Sequence, residues 1–339
     1  MENIIQKQLD ILGTGLEGSR KYLEHEVDIG RLNPVYMTEK QKARLDYELS
    51  MIERLGFGAT ITLFLEIIER IKDKKYFATG DINNSYLCYL LGITNVDSDY
   101  YDLPFERFIN GNMKYLPTIY LRLEKGSKGK IVKMLQDWYG VNRVVKANDN
   151  NEAYFLCPKD MKEAELISET IEKVENDCCW TENISTLNLV ELIKLACYEV
   201  SLDDTYIFND SSNKYFAEEE IYHKTKELFK EWICDEPFLE MEQIKEILKD
   251  TGYKLVYQEQ FIKICEKLFG MSVDKANIYR RTFARYRNKD LEAVKMVLEL
   301  KYEEVGKKLY KYLRRYVART INKGHVIGEL AMQKHYEKE

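Results

Sequence analysis

Five prolines in 339 residues, with apolar side chains returning at three- and four-residue steps over long stretches, leave this chain few options other than a largely helical fold. From Glu39 to Leu55 the apolar positions Leu45, Leu49, Ile52 and Leu55 fall on one face, and Thr38 with Gln41 fits a Thr-x-x-Gln capping box. Helices are expected over Ala59–Ile71 and Asn84–Leu91, closed by Gly92. Tyr115 to Leu123 alternates like a strand and runs through Gly126-Ser-Lys-Gly-Lys130 into a helix over Ile131–Tyr139. Val141–Lys146 and Ala153–Cys157 read as further strands. Beyond Asn183 helices are predicted over Leu187–Tyr198, Ala217–Ile233, Glu240–Lys249, Val256–Phe269 and Leu291–Ala318, with loops at 148–151 and 209–213.

Length and charge narrow the classes. A 339-residue chain holds about two domains. The formal charge of −6 argues against coating nucleic acid by bulk electrostatics, yet residues 275–338 carry 17 Lys/Arg against 7 Asp/Glu, a net of +10. Any polyanion contact is therefore expected in the C-terminal part. Seven cysteines without a Cys-x-x-Cys pair indicate neither a disulfide framework nor a zinc ribbon, and no apolar run is long enough to span a bilayer. Reduced, mostly buried thiols and a cytoplasmic protein with no membrane contact are the expectation.

Three stretches are more specific. Arg44-Leu-Asp-Tyr-Glu-Leu-Ser-Met-Ile-Glu-Arg-Leu-Gly-Phe57, Gly80-Asp-Ile-Asn-Asn-Ser-Tyr-Leu-Cys-Tyr-Leu-Leu-Gly-Ile-Thr94 and Leu103-Pro-Phe-Glu-Arg-Phe-Ile-Asn110 with Leu116-Pro117 occur in that order. Together they resemble the palm of bacterial family C replicative DNA polymerases, the alpha subunit of DNA polymerase III. Leu255-Val-Tyr-Gln-Glu-Gln260, Ile278-Tyr-Arg-Arg281 and Asn322-Lys-Gly-His325 resemble that family's fingers motifs. The resemblance implies an α+β, predominantly helical fold: a helical lead over 1–38, a degenerate nucleotidyltransferase-like palm over 39–195 and a basic, fingers-like helical unit over 196–339.

It also implies where chemistry would sit, and there this sequence departs from the family. The family's palm strand carries alternating aspartates that hold two divalent cations. Here the run is Pro117-Thr-Ile-Tyr-Leu-Arg-Leu123, with Thr118, Tyr120 and Arg122 at the acidic positions, and the aspartate of a later strand aligns with Ser185. None of these four is a carboxylate, so no metal and no cofactor are expected. The triphosphate loop becomes Ala78-Thr-Gly-Asp81 leading to Asn84-Ser85: Gly80 and Ser85 remain, while Asp81 puts a negative charge where phosphate would sit. Only six residues separate the strand ending at Lys146 from the one beginning at Ala153, where the family inserts a thumb. The family's N-terminal phosphoesterase-like domain and its C-terminal clamp-binding tail are also without a counterpart.

Other candidates are weaker. Gly126–Lys130 does not have phosphate-loop spacing, Asp97-Ser-Asp99 with Asp102 reads as a turn, and the four histidines pair with no evident nucleophile. Arg280, Arg281, Arg285 and Arg287, interleaved with Tyr279, Phe283 and Tyr286 and followed by the basic helix through Lys307, Lys308, Lys311, Arg314, Arg315 and Arg319, form the expected polyanion site. The expected function is a noncatalytic pseudo-polymerase that binds nucleic acid or a replication protein through this basic unit. The alternative is a divergent nucleotidyltransferase, a DNA-directed DNA polymerase with metal ligands relocated to Asp81, Asp203 or Asp204. Tyr257 to Gln260 are expected to fix packing between the two units.

Overall fold

A computed structural model describes residues 20–28, 36–55, 57–71, 76–111, 113, 118–124, 128–139, 144–146, 153–156, 193–200, 206–208, 215–284 and 288–338. The chain divides into two compact units, residues 1–212 with 331–339 and residues 213–330. The expected boundary at 195/196 falls inside a strand, and backbone pairing along that strand keeps both sides of it in the first unit.

In the first unit α1 (residues 20–28) precedes α2 (Glu39–Leu55). The predicted capping box is formed: the Thr38 amide donates to Gln41 Oε1 at 3.0 Å, and the Gln41 amide donates to Thr38 Oγ1 at 3.3 Å. Next comes α3 (Gly58–Ile71), whose Ile61, Phe64, Leu65, Ile67 and Ile68 are all buried, so this helix lies inside the core rather than on it. β1 (Tyr76–Thr79) leads through a tight 3₁₀ turn at Gly80–Asn84 into α4 (Tyr86–Leu90). Gly80 starts that turn at φ 86, a left-handed conformation that glycine adopts without a Cβ clash.

β2 (Thr118–Glu124), α5 (Lys128–Tyr139), β3 (Val144–Lys146), β4 (Ala153–Leu156) and β5 (Ile193–Val200) complete the unit. The strands form one mixed sheet in the order β1-β2-β5-β4-β3. Only β2 and β5 run parallel, at the centre; β1 flanks β2 and β4 flanks β5 antiparallel. β3 and β4 pair as antiparallel neighbours across their six-residue link. The helix predicted over Leu187–Tyr198 is corrected here, because its described part belongs to β5. Ile193, Leu195 and Cys197 alternate as well as they repeat, and a central position between two strands settles the choice. β6 (Tyr206–Phe208) and β7 (Tyr336–Lys338), neither of them anticipated, form a separate antiparallel pair.

The second unit is helical: α6 (Glu218–Phe229), α7 (Glu242–Leu248), α8 (Gln258–Phe269), α9 (Val273–Ala284), α10 (Asn288–Tyr316) and α11 (Lys323–His335), the last running into the first unit's closing segment. Phe261, Ile264, Leu268, Phe283, Leu291, Leu298, Leu309 and Leu313 build its core. The helix expected as one piece over Leu291–Ala318 is broken at Glu303, at φ 50 and ψ −126. Three residues later, a Cβ on Gly306 would run into the Leu298 carbonyl, so only a glycine lets the two segments approach this closely.

Tyr257 to Gln260, expected to fix packing between two units, make hydrogen bonds inside the second unit. Gln260 Oε1 accepts from the Val256 and Tyr257 amides, both at 2.9 Å, and its Nε2 donates to Thr251 Oγ1 at 2.8 Å. Glu259 Oε2 accepts the Lys323 amide at 3.0 Å, and Gln258 Nε2 donates to the Thr320 carbonyl at 3.0 Å. The motif thus ties the start of α8 to the start of α11.

Candidate functional site

Strand pairing fixes which residues stand beside Thr118, Tyr120 and Arg122, the positions aligned above with the family's acids. In the parallel ladder Thr118 is in register with Lys194, Tyr120 with Ala196 and Arg122 with Tyr198. On the other side Tyr120 pairs with Thr79, and Arg122 with Phe77. Two divalent cations need several carboxylate oxygens on one face of neighbouring strands. Next to Thr118, Tyr120 and Arg122 this ladder offers a lysine, an alanine and a tyrosine. Ser185, aligned above with the family's other aspartate, lies outside the described residues, as do Asp203 and Asp204.

The segment after β1 meets a carboxylate from α2. Glu48, projecting from α2, is fully buried. The Ser85 hydroxyl donates to its Oε2 at 2.8 Å, and the Tyr86 and Leu87 amides donate to its two oxygens at 3.0 Å. The Cys88 amide in turn donates to Ser85 Oγ at 3.1 Å, so Ser85 caps α4 while anchoring the carboxylate. A buried charge must be matched, and Arg44, one turn earlier on α2, supplies the counter-charge through Nε at 3.0 Å. Its remaining nitrogens donate to the Ser98, Asn84 and Leu103 carbonyls and to Ser98 Oγ, at 2.8 to 3.2 Å. One guanidinium therefore binds three chain segments together.

Asp81, also in this loop, meets Arg107 at 3.2 Å. That arginine is buried while Asp81 is half exposed, so the aspartate matches a cation that the fold has already desolvated. Gly80 and Ser85 serve as turn and cap, and the Ser85 hydroxyl, the Tyr86 and Leu87 amides and the Asp81 carboxylate have protein partners. Sequence reading missed Glu48. The available signal was an acid flanked by Leu45, Leu49 and Ile52 on an apolar stripe, with an arginine four residues before it. Asp97 forms the predicted turn, its Oδ1 accepting from the Asp99 and Tyr100 amides at 3.1 Å.

Of the four expected polyanion ligands, α9 carries Arg280 and Arg281, both half-buried; Arg280 Nε donates to Asn277 Oδ1 at 3.2 Å. Arg285 and Arg287 lie outside the described residues. Further on, the basic helix is partly matched by acids: Lys307 with Glu304 at 3.2 Å, Lys308 with Glu240 at 3.4 Å and Arg315 with Glu236 at 3.0 Å. Tyr316 adds a hydroxyl to Glu236 at 2.9 Å, and burial pushes its own ionisation up. Among the described residues the thiols of Cys88, Cys234 and Cys265 are free and buried, and burial raises the pKa of each, so none is a ready thiolate. No described helix is long and apolar enough to cross a membrane.

Two family models match the chain. The bacterial DNA polymerase III alpha NTPase domain matches residues 20–154, and the finger domain of the same subunit matches residues 213–306. The DNA polymerase III alpha subunit of Halalkalibacterium halodurans is 31% identical over 112 residues, covering 32% of this chain and 10% of that one. That of Buchnera aphidicola is 29% identical over 146 residues, covering 42% and 12%. The error-prone DNA polymerase of Corynebacterium glutamicum is 31% identical over 99 residues, covering 29% and 9%. The matched segments thus span about a tenth of these relatives' length. With the NTPase match in the first compact unit and the finger match in the second, the chain belongs to the bacterial DNA polymerase III alpha subunit family.

Proposed function

We propose that this chain is a noncatalytic, palm-and-fingers relative of the replicative polymerase, without a thumb, that acts as a binding protein in DNA replication or repair. The observation that carries this reading is the ladder in which Thr118, Tyr120 and Arg122 stand in register with Lys194, Ala196 and Tyr198. Polymerisation through two metal ions requires carboxylates at such positions, and hydroxyls and cations do not replace them. The loop supports the same reading, since Glu48 and Arg107 already hold the groups that would face a triphosphate.

Purified protein given a primed template, deoxynucleotides and Mg²⁺ or Mn²⁺ is expected to leave the primer unextended. Extension that disappears in Asp81→Asn, Asp203→Asn or Asp204→Asn would establish the nucleotidyltransferase alternative instead. Binding is assigned to Arg280, Arg281, Arg285 and Arg287. Fluorescence anisotropy with single- and double-stranded oligonucleotides should show affinity falling with salt by roughly 0.7 to 0.9 log units per log unit for each phosphate neutralised. The fourfold change of these arginines to glutamate should abolish binding while the circular dichroism spectrum stays unchanged. Salt-insensitive binding, or none, would leave a protein partner as the function of this unit.

A further inference from the structure

The first part of α10 carries two apolar stripes, and only one of them is covered. Leu291, Val294 and Leu298 are buried in the core of the second unit. Ala293, Met296, Val297 and Leu300 fall at the i, i+3, i+4 and i+7 spacing of another face of the same helix. Met296, Val297 and Leu300 are 58%, 45% and 82% exposed, and Ala293 is exposed with them. Among the described residues no other helix exposes more than one large apolar side chain. A single exposed leucine is ordinary, but three large apolar residues on two turns of one face form a patch of the kind that marks an interaction site.

Charge selects what covers it. Residues 291–304 hold four glutamates against two lysines, whereas residues 305–316 hold five Lys/Arg and no acid. The helix therefore changes sign near its break at Glu303. Glu292 and Glu299, seven residues and two turns apart, run along one edge of the exposed stripe, and Glu303 and Glu304 follow its end. Glu292 meets Lys295 at 3.6 Å, but both side chains are exposed to solvent, so the pair neutralises this edge only weakly. The basic part of α10 has no such stripe, because Leu309, Tyr312, Leu313 and Tyr316 are buried. A polyanion is drawn to that part and repelled by the acidic one. A second copy laid antiparallel on the stripe sets glutamate edge against glutamate edge, a like-charge contact.

We propose that the exposed stripe of α10 docks an amphipathic helix of a protein partner, its apolar face on Ala293, Met296, Val297 and Leu300 and its flanking lysines or arginines against Glu292 and Glu299. Apolar side chains along the seam supply the attraction, and charges at the edge choose the partner and its direction. The contact lies beyond the polyanion-binding reading and does not depend on it. Two helical turns make a small interface, so an affinity on the order of 10 μM is expected.

Fluorescence anisotropy of the full chain at about 0.15 M salt with two labelled helical probes tests the proposal. One is a fourteen-residue peptide of leucine and lysine with leucine on one face, and the other carries glutamate in place of lysine. The lysine peptide is expected to bind, and the glutamate peptide to bind at least roughly tenfold more weakly. Met296→Gln with Leu300→Asn should weaken the lysine peptide roughly tenfold, while the melting curve stays that of the parent because both positions are at the surface. Glu292→Gln with Glu299→Gln should weaken it about threefold and flatten its salt dependence. Leu228→Gln, at an exposed apolar position on α6, should leave affinity within about twofold. Undiminished binding to the Met296/Leu300 variant, equal binding of the two peptides, or no binding of the lysine peptide at millimolar concentration would each overturn the proposal. So would sedimentation that shows a dimer of the parent lost in that variant, because a second copy would then cover the stripe.

Discussion

Glu48 in the first unit and Lys308 in the second are both charged residues on long helices, and the fold treats them in opposite ways. Glu48 is sealed from solvent and receives a hydroxyl, two amides and a guanidinium, each within about 3 Å. Lys308 stays at the surface and faces Glu240 at 3.4 Å, a pair that solvent and salt weaken. In the first unit the charges around the loop at Gly80–Ser85 hold the loop's own shape. In the second they remain available to something outside. The matched charges around Glu48 therefore build the scaffold, and a binding role is better sought where charge is exposed.

Removing the buried carboxylate should produce the largest effect. Glu48→Ala leaves the Ser85 hydroxyl and two buried amides without their acceptor and removes the nearest counter-charge from Arg44, for an expected loss of about 3 to 5 kcal/mol. Thermal denaturation should show a drop on the order of 10 °C. Glu48→Gln, which keeps the shape and forfeits the charge opposite Arg44, should fall between the parent and the alanine variant. If Glu48→Ala melted like the parent, the contrast with the second unit would collapse.

A smaller effect is expected within the second unit from Gln260→Ala, which leaves the Val256 and Tyr257 amides without their acceptor and takes one donor from the Thr251 hydroxyl. A loss of about 1 to 3 kcal/mol in urea titration is the expected size. The smallest belongs to Arg315→Ala, whose partner Glu236 and whose own side chain are both more than half exposed. A change below about 1 kcal/mol at 0.15 M salt is expected. A larger loss there would show that α10's charges build the fold and would weaken their assignment to a partner.

Local chemistry made parts of this fold readable in advance. Thr38 and Gln41 marked the start of α2, Gly92 the end of α4, and the period of Phe261, Ile264 and Leu268 the buried face of α8. What failed was set by partners far away in sequence. Ile193–Val200 suits helix or strand until β2 and β4 flank it. The apolar rhythm of Leu291, Leu298, Val305 and Leu309 gives no sign of the break at Glu303, which accompanies the close approach of Gly306 to Leu298. Near the aligned acidic positions, the strand through Thr118 and Tyr120 was legible because alternation is a local property. The Glu48 network was not, because it joins α2 to a loop nearly forty residues on.

The pairing of β6 with β7 has a consequence for synthesis. Tyr206–Phe208 leaves the ribosome well before Tyr336–Lys338, and every residue of the second unit is made in between. At about 5 to 20 residues per second, β6 waits roughly 6 to 25 s for its partner. The helical insert therefore has time to complete its own core before the strand that pairs with β6 is made. Order of assembly is thus written into the order of translation.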